Sequence, residues 1–112
     1  MAPPEAGSEE LQSIADIDRT VHAPARLMIL AYLTVVDSAD FVFLMRQTGL
    51  TRGNLSSHLR KLEEATYIGV EKEFVDRIPR TLIRLTDRGR DAIQQYRTRM
   101  QQVLDELLDS AG

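Results

Sequence analysis

Apolar residues recur at helical spacing through most of this chain, and the spacing changes character once, after residue 65. Leu11, Ile14, Ile17 and Val21 form a first stripe. They predict an amphipathic helix capped by Ser8, with Glu9 and Glu10 in its first turn. His22-Ala23-Pro24 interrupts it, and Pro24 suits the first turn of a second helix running to about Val36. There Leu27, Leu30, Ala31 and Thr34 mark one face and Ile29 and Leu33 another, so this helix should be central and buried. Asp37-Ser38-Ala39-Asp40 breaks the pattern, and Ser38 or Asp40 can cap a short third helix with Phe41, Leu44 and Met45 as its apolar positions. Gly49 suits the position past its end. Thr51 suits the cap of a fourth helix, in which Leu55, Leu59 and Leu62 face the core. The two are joined by about three residues, a helix-turn-helix spacing.

After Ala65 the period shortens. Tyr67, Ile68, Val70, Phe74 and Val75 favour a strand, and Thr81, Ile83 and Leu85 alternate with Leu82 and Arg84 as a second strand. Asp76-Arg77-Ile78-Pro79-Arg80 between them predicts a loop, because proline cannot sit in a central ladder. An isolated hairpin is marginal, so this one must pack on the helices. Thr86 caps a fifth helix from Asp87 to about Asp109. Ile93, Tyr96, Met100, Val103 and Leu107 are spaced three, four, three, four, which is a heptad seam, and Leu104 and Leu108 widen it. A small core cannot cover a helix of this length. The exposed part calls for the same helix of a second chain, or folds back beside the first helix; Leu11 and Ile14 are further candidates for the interface.

The elements predict a mainly α chain with a small β-hairpin (α+β). Residues 1–7 read as a disordered tail, 8–86 as the main domain and 87–112 as a dimerisation helix. With three Phe, three Tyr and no Trp, the core must be aliphatic. The absence of Cys removes disulfides, thiolate metal sites and cysteine nucleophiles. No apolar run is long enough to span a membrane and MAPPEAGSEE lacks the apolar region of a secretory signal, so the expected location is the cytoplasm. His22 and His58 stand in unrelated segments, with no metal spacing and no glycine-rich phosphate loop. No catalytic, metal or cofactor site is expected, and the chain is not expected to be an enzyme.

The net charge of −3, taken as a total, disfavours a polyanionic partner, but its distribution reverses that. Residues 1–45 carry two Arg against seven acids, residues 46–90 ten Lys/Arg against six acids, and residues 91–112 two Arg against four acids. A basic middle between acidic ends gives a localised positive face. It coincides with LTRGNLSSHLRKLEE at 50–64, a leucine-backed helix whose first acid is Glu63. Arg52, in its first turn, has the reach to read guanine or to hold a phosphate. Thr51 and the N–H groups around Gly53 can hold an anion, and Gly53 permits close backbone approach or is merely tolerated near the helix start. Asn54 can pair with adenine or support the cap. Ser56, Ser57 and His58 can read or position, although His58 can instead pack on a neighbouring helix. Arg60 and Lys61 suit phosphate clamping. On the hairpin Arg77 and Arg80 flank Pro79 and suit a minor groove or phosphate, with Lys72 and Arg84 as lesser candidates.

These pieces together resemble the small winged-helix transcriptional regulators of the MarR/ArsR-like superfamily. The resemblance is carried by DRTVHAPARLMILAYL, DFVFLMRQTGLTRGNLSSHLRKLEEATYI and FVDRIPRTLIRLTDRGRDAI, over about residues 18–96. It implies a homodimer on a roughly palindromic double-stranded DNA site, with the fourth helix in the major groove and the hairpin, about 75–81, on the minor groove or backbone. A small-molecule effector is not named by any polar cluster. The family usually has Gly where this chain has Thr66. A β-branched residue disfavours positive φ, so the fourth helix is expected to end differently here. The rival reading is a winged-helix adaptor that binds proteins through its acidic flanks and heptad seam.

Overall fold

The computed structural model describes residues 11–12 and 14–111. In chain order these form helix α1 (Pro24–Leu33), strand β1 (Ala39–Asp40), helix α2 (Phe41–Thr48), helix α3 (Arg52–Glu64), strands β2 (Ile68–Val75) and β3 (Ile78–Leu85), and helix α4 (Asp87–Ala111). The strands make one antiparallel sheet of order β1-β3-β2. This is the predicted α+β winged helix-turn-helix with a long last helix. Val21, Ile29, Leu30, Leu33, Leu44, Leu55, Leu62 and Ile83 are fully buried, so the core is aliphatic. The tail assigned to residues 1–7 and the Ser8 cap lie outside the described residues.

The first predicted helix is shorter than its stripe. The backbone is helical at residues 11–12 and 14–15 and then turns, although Ile17 and Val21 are buried. Asp18 explains the break. One of its oxygens accepts from the N–H groups of Thr20 (2.8 Å) and Val21 (3.3 Å), an alternative to helical bonding. The other accepts from the Tyr67 hydroxyl. Burial, together with that acceptor, pushes the Tyr67 phenol up to about 12. α1 begins at Pro24 as expected but stops at Leu33, not Val36. Thr34 Oγ1 donates back to the Ala31 carbonyl (2.6 Å), and Val35 and Val36 are β-branched, which disfavours continuation.

Asp40 is the cap of α2, its carboxylate accepting from Val42 (2.7 Å) and Phe43 (3.3 Å). The same residue pairs with Leu82 in β1, a strand of two residues that no alternation could announce. Gly49 ends α2 with φ 71°, and Thr51 Oγ1 accepts from Asn54 N–H to start α3. Gly49-Leu50-Thr51 is thus the whole connection.

Two expectations about the hairpin are corrected. α3 ends as though Thr66 were glycine: Thr66 adopts φ 65°, its N–H bonds the Glu63 carbonyl (2.9 Å), and Tyr67 N–H bonds Leu62 (3.0 Å). This is a complete Schellman motif. The five-residue loop is only a two-residue turn, Asp76-Arg77, both at positive φ, and Val75 pairs directly with Ile78. Pro79 lies within β3 opposite Phe74. In a hairpin closed by a two-residue turn the flanking pair Val75–Ile78 is the hydrogen-bonded one and the next pair, Phe74–Pro79, exchanges no hydrogen bonds, so the Pro79 nitrogen faces away from β2. On that side β1 reaches only Leu82 and Ile83, so the proline costs the ladder no bond.

Thr86 fixes α4 to the hairpin. Its hydroxyl donates to the Thr66 carbonyl (2.7 Å) and accepts from Gly89 N–H (3.0 Å), and its N–H donates to the Tyr67 carbonyl (3.1 Å). A Cβ at Gly89 would collide with that carbonyl, so only glycine fits this approach.

Candidate nucleic-acid interface

α3 projects from the body on its leucine stripe. Leu55, Leu59 and Leu62 are buried, while every other residue from Arg52 to Glu64 except the half-buried His58 is exposed. At about 100° per residue, Gly53, Ser57 and Arg60 stand opposite the stripe, with Lys61 beside them. Gly53 has nothing within 4 Å of the place a Cβ would occupy. Packing within the chain therefore does not require glycine there. The first turn contains no acid, and Arg52, Arg60 and Lys61 make no ion pair among the described residues.

The two flanks of α3 differ. On one, the Arg52 guanidinium stacks over the Phe41 ring at 5.3 Å, and Arg52 and Ser56 line a cleft closed by Asp40, Pro79, Arg80 and Thr81. α3 and the hairpin thus share one concave space. On the other flank His58 Nδ1 lies 3.2 Å from Arg26 Nη1. Burial, with the charges of Arg26 and Lys61 added, lowers the His58 pKa. Arg26 also donates to the carbonyls of Thr20 (2.7 Å) and Arg19 (3.2 Å), locking α1 and the preceding turn to α3. Sequence reasoning misses Arg26, because it sits between apolar residues and its partner is 32 positions away. Arg19, Arg26 and Lys61 line a second, basic cleft beside the end of α3.

The hairpin candidates separate. Arg77 is at the turn, held at φ 67°. Arg80 is on β3 and pairs with Asp40 (Nε–Oδ2 3.2 Å). Burial alone would raise the Asp40 pKa, but Arg80 and the capped N–H groups outweigh it and the net shift is downward. Lys72 lies on the sheet face that continues the core, whereas Arg84 lies on the other and pairs with Glu71 (3.4 Å).

Along α4, Ile93 and Tyr96 pack against the core of their own chain, and the Tyr96 hydroxyl lies 2.8 Å from His22 Nδ1. Val103 is buried, Met100 and Leu107 are half-buried, and Leu104 and Leu108 are exposed, as are Leu11 and Ile14. Arg99 donates to the Asp16 carbonyl (3.1 Å), tying the N-terminal segment to this helix. Among the described residues no helix is long and apolar enough to cross a membrane, and no cluster of three His, Asp or Glu could hold a metal ion.

The model of a family described as winged helix DNA-binding domain matches residues 25–104. A transcriptional regulator homologue protein from Pyrococcus horikoshii OT3 superposes with a TM-score of 0.80 at 33% identity, covering 88% of this chain and 97% of that one. An uncharacterized protein of Methanocaldococcus jannaschii is 37% identical over 71 residues, 63% of this chain and 77% of that protein. A MarR-family transcriptional regulator from Silicibacter pomeroyi is 19% identical with a TM-score of 0.60, covering 91% of this chain and 68% of that one; it shows likeness of fold alone.

Proposed function

Because the chain belongs to the winged helix DNA-binding domain family, we propose that it regulates transcription as a homodimer on specific double-stranded DNA, with α3 in the major groove and the β2–β3 hairpin on the flanking minor groove or backbone. One observation carries the reading: the outward face of α3 is acid-free until Glu63, small at Gly53 and Ser57, and rimmed by the exposed cations Arg52, Arg60 and Lys61. Small residues let the helix approach the base edges, and the cations meet the phosphates on either side. Arg52 is the base reader, since it stands at the end of α3 that enters the groove and is already steadied on Phe41. Thr51, Asn54 and Ser56 position that end. Arg60 and Lys61 clamp phosphate, and Lys72 and Arg77 do the same from the hairpin. Arg80, Arg84 and His58 are weaker contacts, being engaged with Asp40, Glu71 and Arg26.

The test is selection of bound fragments from a random duplex library, followed by binding at several salt concentrations. A site with two-fold symmetry is expected. Replacing Arg60 and Lys61 by Ala should weaken binding to every sequence and flatten the salt dependence, by about 0.9 in log–log slope for each phosphate no longer neutralised. A chain that fails to retain any duplex at about 50 mM salt would instead be a protein-binding adaptor.

A further inference from the structure

The hairpin carries more apolar surface at its tip than a solvated turn needs. Strand alternation divides β2 and β3 into two faces. Ile68, Val70, Ile83 and Leu85 lie on the face packed against the helices. Outward along that face come Lys72 opposite Thr81, then Phe74 opposite Pro79. By then the hairpin has left the body, and Phe74 is 76% exposed. The acids Glu71 and Glu73 are on the outer face, with Val75 and Ile78. The inner face is therefore apolar and cationic, and through Pro79 and Thr81 it opens onto the cleft that Arg52 and Ser56 line from α3.

We infer that Phe74, backed by Pro79, is an apolar DNA contact, packing on the deoxyribose walls of the minor groove beside the site that α3 reads. The inference rests on the DNA-binding reading above. Charge segregation favours a duplex as the occupant: the face that holds Phe74 carries Lys72 and no acid. Backbone strain points the same way. A turn with two positive φ angles prefers Asn-Gly or Asp-Gly, yet this one keeps Arg77 at φ 67°. The strain keeps a cation, beside Asp76, in the turn that closes the hairpin. A two-residue turn is also narrow enough for the Phe74 and Arg77 side chains to enter a groove about 6 Å wide while the strands ride its edges. Apolar side chains set among cations are a known means of minor-groove binding.

The experiment compares the full chain with its Phe74→Ala, Phe74→Leu and Arg77→Ala variants on one selected duplex across a salt series. Phe74→Ala should bind roughly tenfold more weakly at every salt concentration, the share of one partly buried ring. Its salt slope should equal that of the parent, since no cation is removed. Phe74→Leu should retain most of the affinity, and Arg77→Ala should flatten the slope by about 0.9. The ring is exposed, so melting of the free variants should match the parent. Parent affinity in Phe74→Ala overturns the inference while leaving the DNA reading intact. Altered sedimentation with unaltered DNA affinity overturns it too, and makes the tip a protein contact. A parent chain that binds no duplex overturns both.

Discussion

Thr66 and Gly89 show opposite solutions to crowding at the junction of α3, β2 and α4. Thr66 occupies the left-handed region at φ 65°, where an L residue is disfavoured by about 1–2 kcal/mol. It is held there by the Schellman bonds, by Thr86 Oγ1 on its carbonyl and by the Asp18 clamp on Tyr67. Gly89 is a glycine because its neighbour, the Tyr67 carbonyl, leaves no space for a Cβ. The junction is thus over-determined, and that is what aims the hairpin at the cleft beside α3. Thr66→Gly should relieve the strain at a smaller cost in unfolded-state entropy, a net gain of about 0.5–1 kcal/mol. Calorimetry should show Tm raised by several degrees, about 4 °C or more per kcal/mol. A lower Tm would mean that the Thr66 side chain contributes more than its backbone strain removes.

At the scale of elements, the helix-turn-helix is legible in the sequence because its signals are local: leucines at helical spacing, a threonine cap and a glycine stop. The hairpin is legible as two strands, but its turn is not. Whether Pro79 can sit in β3 depends on where β1 ends, which is a tertiary fact. The exposed cations can be chosen by type and place, whereas the clamp from α1 to α3 cannot, since Arg26 and His58 meet only in the folded chain. That clamp predicts a pH dependence. The folded pKa of His58 lies below its ordinary value of 6.5, through burial and the charges of Arg26 and Lys61. The unfolded chain then binds more protons than the folded one near pH 6, so stability rises with pH across that window. The contribution is complete above about pH 6.5 and is lost as pH falls through the folded value. His58→Gln keeps an acceptor for Arg26 without titrating. Between about pH 7.5 and 5.5, Tm should therefore fall further in the parent than in this variant. Equal falls would place the titration elsewhere.

Over the whole molecule, charge and apolar surface are set apart. Most of the basic residues lie on α3, the hairpin and the first half of α4, and the acids Asp105, Glu106 and Asp109 lie on its last turns. The separation should orient the chain toward a polyanion before contact. On the proposed homodimer reading, it also leaves the distal half of α4 as the place for a second copy. This helix of 25 residues spans about 37 Å, and once Ile93 and Tyr96 are spent on the intrachain core, Leu104 (44% exposed) and Leu108 (67% exposed) remain one turn apart on its surface. Two such helices paired about a two-fold axis would bury those leucines and present two copies of α3 to successive major grooves. The double variant Leu104→Glu/Leu108→Glu should therefore sediment as a monomer where the parent sediments as a dimer. Its fold should persist, because both side chains face solvent in the single chain. Its melting should not show the concentration dependence expected of a dimer. Affinity for a two-fold site should fall by roughly a hundredfold or more, since the second half-site is no longer bound at high effective concentration. Affinity for an isolated half-site should be unchanged. A parent that is monomeric at tens of micromolar, or a variant that still binds the two-fold site as the parent does, would remove α4 from the interface.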